Sequence, residues 1–261
     1  MNKITIRPSS IDGFTQCPQQ WYRIHILGEN SIPNSRAAIG TAIHSGVETL
    51  WNESIAAKDK VVNKTAMEDA AMDALEKENQ KGLQYDDGED ANSAQKEIRT
   101  GLGTFVTDIV PDTDIPTAVE TRYSVDIDGH PIVARVSGTL DYINTATGFV
   151  ADVKTGKRKH SVANSGTQQS IYQFLAEENG VDVKGAVIQN VILKQKPQGL
   201  VMNSAIDIPK AKAAVNNMLD VLDVYHQDVV DPNMLFRGNP KYFLCSEKYC
   251  AFFNDCKWTG H

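Results

Sequence analysis

Apolar positions along this chain follow two rhythms, and the changes between them mark a helical first part, a strand-rich middle and a helical close. Ile11, Phe14, Tyr22 and Ile26 repeat at near-helical spacing, and Pro18 between them predicts a helix broken in two, with Ser9 as N-cap and Asp12 three residues on. Ile39, Ile43, Val47, Leu50 and Trp51 then form one apolar stripe, with His44 beside it and Glu48 one turn later. Residues 66–81 and 93–110 read as further helices around an acidic, turn-forming stretch, 85–92 (Y-D-D-G-E-D-A-N), expected to stay in solvent away from any phosphate backbone. Residues 52–115 as a whole read as a helical insertion or lid.

The period changes to two at residue 117. Residues 117–127 alternate as a strand, Asp128-Gly129 forms a hairpin turn, and residues 130–143 return as a second strand. The turn formers from Asn144 to Gly148 lead into a third, so the middle of the chain is a meander. Its core, G-T-L-D-Y-I-N-T-A-T-G-F-V-A-D-V-K-T-G-K-R-K, carries Asp141 on one strand and Asp152 on the next. Lys154 lies two residues beyond Asp152 and shares its face, so two carboxylates and an ammonium meet across the hairpin. Glu120 on the first strand faces either this cluster or solvent. A helix ending at Gly180, strands at 184–194 and 199–208, and a long helix at 211–230 complete an α/β fold: a mixed sheet with helices around it.

Chemistry follows from the acid cluster. Two carboxylates a few ångströms apart raise each other's pKa unless a positive group joins them, and Mg²⁺ is commonly held by one or two carboxylates plus water and phosphate oxygens. Such a site suits phosphodiester hydrolysis, with Lys154 positioning the water or stabilising the phosphate oxygens. The same residues also fit a solvated hairpin with a salt bridge, and His44 on its own fits a hydrogen-bonded histidine as well as a ligand. Lys157, Arg158 and Lys159 form the densest basic run, directly after the acids, where phosphates can dock. Gln168 and Tyr172, at i and i+4, stack on one helix face that either contacts a substrate backbone or is merely half exposed.

Composition narrows the setting. The 261 residues suit one large domain, and the net charge of −7 leaves nucleic-acid binding to local patches. No apolar run is long enough to span a membrane and the first residues lack the apolar stretch of a signal peptide, so a cytoplasmic protein without a membrane partner is expected. Three of the four cysteines, Cys245, Cys250 and Cys256, fall close together near the end, and Cys17 lies far away near the start. In a cytosolic chain that pattern points to a metal or cluster site rather than disulfides, with zinc and [4Fe-4S] both open. Either would join the two ends of the chain, Cys17 and residues 237–261, like a clasp.

In order, C-P-x-x-W-Y, G-T-A-I-H, G-T-L-D-Y, A-D-V-K-T-G, Q-Q-S-I-Y and the terminal three-cysteine group resemble the RecB-like branch of the PD-(D/E)xK nuclease superfamily. The likeness is to its iron-sulfur members, among them CRISPR adaptation nucleases, AddB-type nuclease domains and phage exonucleases. It covers both ends and the middle, leaving the helical segment unmatched. The resemblance implies a restriction-endonuclease-like mixed-sheet core flanked by helices, in one domain over residues 1–261. It implies Mg²⁺ or Mn²⁺ held by His44, Asp141, Asp152 and the Val153 carbonyl, with Asp141, Asp152 and Lys154 catalytic and Gln168 and Tyr172 as the Q-x-x-x-Y element. Glu120 stands for the acid leading into the first core strand, and Cys17, Cys245, Cys250 and Cys256 for the ligands of a [4Fe-4S] cluster. The implied activity is a DNA exonuclease acting on single strands or DNA ends, with recombination, repair or CRISPR adaptation proteins as partners. Two other classes remain open: a non-catalytic iron-sulfur or zinc module that binds nucleic acid, and a metal-dependent hydrolase of small phosphoesters.

Overall fold

A computed structural model of the protein describes residues 3–30 and 34–259. The chain begins with strand β1 (Ile4–Ile6) and then two short helices, α1 (Pro8–Gln16) and α2 (Pro18–His25), divided at Cys17. Pro18 is the first residue of α2, where its missing N–H costs nothing. Pro8 does the same for α1, so that helix starts earlier than the Ser9 cap predicts, and Asp12 lies in its interior. Helices α3 (Ser35–Ala57), α4 (Lys64–Gln80) and α5 (Ala91–Asp108) follow, each opened by an Asn or Asp whose side chain accepts a backbone N–H of the first turn.

Strands β2 (Ala118–Asp126), β3 (Val133–Asn144) and β4 (Phe149–Gly156) form the expected meander. Gly129 and Gly148 supply the positive φ that their turns require, and Asn144 Oδ1 accepts from the N–H groups of Ala146 and Thr147 at 3.1 Å. Helix α6 (Val162–Glu178) crosses over to β5 (Gly185–Ile192), parallel to β4, and β6 (Gln198–Asn203) returns antiparallel. That strand stops before residue 208 because Asp207 caps α7 (Ile208–His226), whose second residue is Pro209. A single turn, α8 (Pro232–Leu235), precedes the cysteine-rich end.

The sheet branches at β3. One edge of β3 pairs with β2 over nearly its whole length; the other pairs with β1 from Val133 to Val136 and with β4 from Tyr142 to Asn144. Residues 137–141 have no ladder partner on that second edge, so β1 and β4 diverge around them and open a fork.

Helices cover both faces. On one, Trp51, Leu50 and Ile43 of α3 and Phe105, Leu102 and Ile98 of α5 pack on Tyr142, Val153, Val191 and Leu193, and Met67, Ala71 and Leu75 of α4 close the layer. The 52–115 segment is thus a structural layer sharing a core with α3 and the sheet. On the other face, Phe14, Trp21, Leu175, Met218 and Phe236 surround Ile6, Val133 and Val136, with Leu140, Ile143, Val150 and Ala176 beside them. Leu140 and Ile143 share a face although they are three residues apart, and Tyr142 packs on the opposite one. In β2, likewise, Val119 packs with α3 whereas Ala118 and Tyr123 pack with α6. Both strands change phase at the Glu120–Asp141 rung, where Glu120 takes φ 46°, and the register on either side is unchanged.

The acidic loop differs from its expected solvation. Glu89 pairs with Arg36 and with Lys157 (3.3 Å), and Asp86 with Lys248 (3.4 Å), because the start of α3, the residue after β4 and the cysteine-rich end bring cations beside it.

Gly138 marks a close approach beside the fork. A Cβ there would stand 2.6 Å from the Tyr172 ring and 2.9 Å from Pro8. Gly138→Ala is expected to lower stability by about 1–3 kcal/mol through overpacking, seen as a lower denaturant midpoint at unchanged slope. An unshifted midpoint would show that Tyr172 moves aside freely.

Candidate active site

The site lies where β4 leaves β3. Register places Asp141 one rung beyond the last β3–β4 pair, Tyr142 with Ala151, so the next rung would set Asp141 against Asp152. Asp141 Oδ2 instead accepts the Val153 N–H at 2.6 Å, replacing a backbone partner that the divergence removes. Its other oxygen is 3.4 Å from His44 Nδ1, which α3 delivers from the side of its apolar stripe. The ladder skips Glu120, which the flanking pairs Val119–Tyr142 and Thr121–Leu140 set opposite Asp141, and its left-handed backbone turns the carboxylate into this group. His44, Glu120 and Asp141 each bring one donor atom within 4.8 Å of the others, a set suited to one cation.

Asp152 stands beside that set without joining it. Lys154 Nζ donates to Asp152 Oδ1 at 3.0 Å and lies 2.8 Å from Oδ2. Geometry at Oδ2 is poor for a hydrogen bond, so this buried oxygen has an ion-pair partner but no hydrogen-bond donor. Lys154 also donates to Gln168 Oε1 at 3.3 Å, and Gln168 Nε2 donates to the Tyr172 hydroxyl at 3.0 Å. The Q-x-x-x-Y pair is therefore wired to the lysine, and Gln168 is buried rather than half exposed.

Electrostatics show an excess of negative charge. Burial, then Asp141 and Glu48, push Glu120 up to about 7, while burial raises Asp152 against the pull of Lys154. For His44, burial works against the charged ring, but the Asp141 carboxylate outweighs it and raises the ring to about 9. Burial likewise favours the neutral form of Asp141, yet the His44 charge and the Val153 N–H hold it below the usual carboxylate range.

Two features escape sequence reasoning. Asp12 lies near Lys154, and burial, opposed by that lysine, raises it to about 6. Its place was legible in principle, since Pro8 as the first helical residue moves Asp12 out of the capping turn. The inward turn of Glu120 depends on a backbone conformation that no spacing rule predicts. Lys157 is engaged by Glu89, whereas Arg158 and Lys159 are exposed with no carboxylate partner among the described residues.

At the far end of α1, Cys17, Cys245, Cys250 and Cys256 line one small cavity together with Gln20, Phe252 and Trp258, and no disulfide joins them. Gln20 Nε2 points to Cys250 Sγ at 3.9 Å. Burial raises Cys245 and Cys250, the neighbouring sulfurs adding to the rise and the Phe252 N–H opposing it at Cys250. Arg23 clamps the segment, 2.8 Å from Asp255 and stacked 4.3 Å from the centre of Phe252, and Asn239 donates to the Gln16 carbonyl at 2.9 Å.

A forked mixed sheet with paired carboxylates, a lysine and a histidine at the branch is an arrangement suited to metal-assisted phosphodiester chemistry. The sequence matches the PD-(D/E)XK nuclease superfamily over residues 5–257, and the chain belongs to that superfamily. A crystal structure from Eubacterium rectale, provisionally named an exonuclease, shares the fold with a TM-score of 0.60 at 12% identity, over 87% of this chain and 83% of that one. The structure of SSO0001 aligns over 88% of each chain at 14% identity, with a TM-score of only 0.40. No curated protein matches the sequence. Among the described residues no helix is long and apolar enough to cross a membrane.

Glu120 is the strained member of the set. A non-glycine residue in the left-handed region costs about 1–2 kcal/mol, so Glu120→Gly is expected to stabilise the metal-free protein by about 1 kcal/mol. The same change should weaken Mn²⁺ binding, measured by calorimetry alongside thermal unfolding. A less stable variant with unchanged Mn²⁺ affinity would remove Glu120 from the site.

Proposed function

We propose that this protein is a divalent-metal-dependent DNA nuclease of the RecB-like, iron-sulfur type, acting as an exonuclease on single strands or DNA ends. The observation that carries this reading is the meeting of His44, Glu120 and Asp141 donors beside the Lys154–Asp152 pair. The donor set fits Mg²⁺ or Mn²⁺: it offers oxygens and one imidazole, and Asp152 Oδ2 is a buried acceptor without a hydrogen-bond donor. When bound, such a cation supplies an acidified water and a counter-charge for the phosphate. His44, Glu120 and Asp141 would hold it, with Asp152 and the Val153 carbonyl completing the shell.

Within this scheme the protein's own groups have separable tasks. Lys154, held between Asp152 and Gln168, keeps an ammonium at the position where charge builds on the phosphate oxygens. Gln168 fixes that ammonium in direction, and Tyr172 fixes Gln168 in turn. Arg158 and Lys159 offer free cations for the backbone beyond β4. The provisional exonuclease name of the Eubacterium rectale structure supports the choice of exonuclease over endonuclease.

Four cysteines around one cavity fit a thiolate-held group, and the resemblance of the whole motif set favours a [4Fe-4S] cluster over zinc.

Digestion of end-labelled single- and double-stranded DNA with Mg²⁺ or Mn²⁺ tests the activity. Lys154→Ala and Asp152→Ala should each lower kcat by about 10²-fold or more with the fold intact. Full activity in either would refute the assignment. Anaerobically purified protein should be brown and bleach on oxidation, and Cys250→Ser should lose colour and stability together. Colourless protein with stoichiometric zinc would reject the cluster alone.

A further inference from the structure

The fork in the sheet holds a second feature that the catalytic reading does not use. Where residues 137–139 of β3 lie between the end of β1 and the departure of β4, a groove of about 310 Å³ opens. Arg7, Pro8 and Ser9 line it from the start of α1, Thr139 and Ser137 from β3, Arg122 from β2 and Tyr172 from α6. Two guanidinium groups from separate elements therefore face one space. Neither has a carboxylate within salt-bridge distance among the described residues, whereas Arg23, Arg36, Arg99 and Arg135 all do. Arg122 Nε donates to Ser137 Oγ at 2.9 Å, which aims its fork and leaves its terminal nitrogens available. In a chain of net charge −7, two unpaired arginines beside three hydroxyl side chains and a tyrosine form a site for an anion with several oxygens.

Position identifies the anion. Arg122 and Thr139 are ladder partners, two residues along from the Glu120–Asp141 rung, so the groove lies about 7 Å from the metal-ligating acids at ~3.4 Å per residue. Tyr172 belongs to both places: it lines the groove and, through Gln168, reaches Lys154. We infer that this groove binds a phosphate group of the substrate strand next to the one being cleaved, with Arg7 and Arg122 as its cationic walls. The inference rests on the nuclease reading for the identity of the strand. It extends the strand's path from the fork toward the Tyr172 side, beside the end of β1.

The test is binding of a fluorescent single-stranded oligonucleotide by metal-free protein across a salt series, together with KM and kcat. Arg7→Ala and Arg122→Ala should each weaken binding about tenfold and reduce the slope of log K against log salt by about one, since each phosphate contact contributes roughly 0.7–0.9. The loss in kcat/KM should be carried by KM. Arg122→Lys, which keeps the charge, should retain the slope. Arg99→Ala, distant and paired with Glu68, should change neither quantity and controls for net charge. Oligonucleotides with 5′-phosphate and 5′-hydroxyl ends identify the source: a preference for the phosphate that both variants lose assigns a terminal group, and equal loss on both assigns an internal one. Unchanged affinity and slope in both alanine variants would overturn the inference. Failure of wild-type cleavage, with the slopes still dependent on the arginines, would overturn the nuclease reading alone.

Discussion

Everything at this site follows from the fact that β3 shares one edge between two neighbours. A strand cannot pair with β1 and β4 at the same rungs, so the ladder has to open between them, and opening it exposes backbone groups inside the protein. Asp141 resolves the loss by accepting the Val153 N–H, which ties the carboxylate to the branch point and fixes its direction. The hydrogen bond thereby does structural and chemical work at once. Glu120, opposite on β2, adopts the left-handed backbone at the rung where both strands change phase. Local strain of this kind persists only where neighbours hold it, and here the unbroken register on either side holds it.

The helical layers explain why the branch stays open. Trp51, Phe105 and the rest of the α3–α5 core press on Val153 and Tyr142, and Leu140 and Val150 are held from the α6 side. These contacts anchor β3 and the β4 arm of the fork, and His44 comes to Asp141 on a helix whose neighbouring Ile43, Val47 and Leu50 are buried. The cysteine cavity fastens a different boundary. It joins the α1–α2 break to the end of the chain, and α1 carries Arg7 and Ser9 to the groove and Asp12 toward Lys154. Fully burying Phe236, stacked on Tyr22 at 4.4 Å, adds roughly 1.5–3 kcal/mol to that closure. The cysteine cavity and the fork are thus linked through one short helix.

Much of this was legible in the sequence because it depends on local patterns. The meander, its two turns, the α3 stripe and the Asp141–Asp152–Lys154 relationship all follow from periods of two and 3.6 and from Gly and Asn at the turns. What was not legible depends on groups far apart in sequence. The donor set gathers His44, Glu120 and Asp141, and only a sheet register and a helix crossing bring them together. Asp12 read as a capping residue because Ser9 seemed to open the helix; Pro8 opens it instead. The acidic loop read as solvated because composition does not reveal that Arg36 and Lys157 fold beneath it. Arg7 and Arg122 carry no motif at all, and their meeting is a property of the fork.

Charge balance gives these placements a common direction. Around the branch stand four carboxylates, Asp12, Glu120, Asp141 and Asp152, against Lys154 and the His44 ring, which Asp141 raises against the pull of burial. Three of the four acids are raised, Glu120 to about 7 and Asp12 to about 6, with burial the largest cause in each, so the folded chain holds them against their preference to ionise. On the proposed reading, a divalent cation held by Glu120, Asp141 and His44 would ease that conflict by adding positive charge among the acids. The arginines of the groove stand apart from this balance because no acid neutralises them among the described residues. Acids that await a cation and, one step along the strand, cations that await an anion give the fork opposite polarities at neighbouring positions. A phosphodiester chain with its metal ion matches that alternation, whereas a lone cation or a lone phosphate satisfies only half of it.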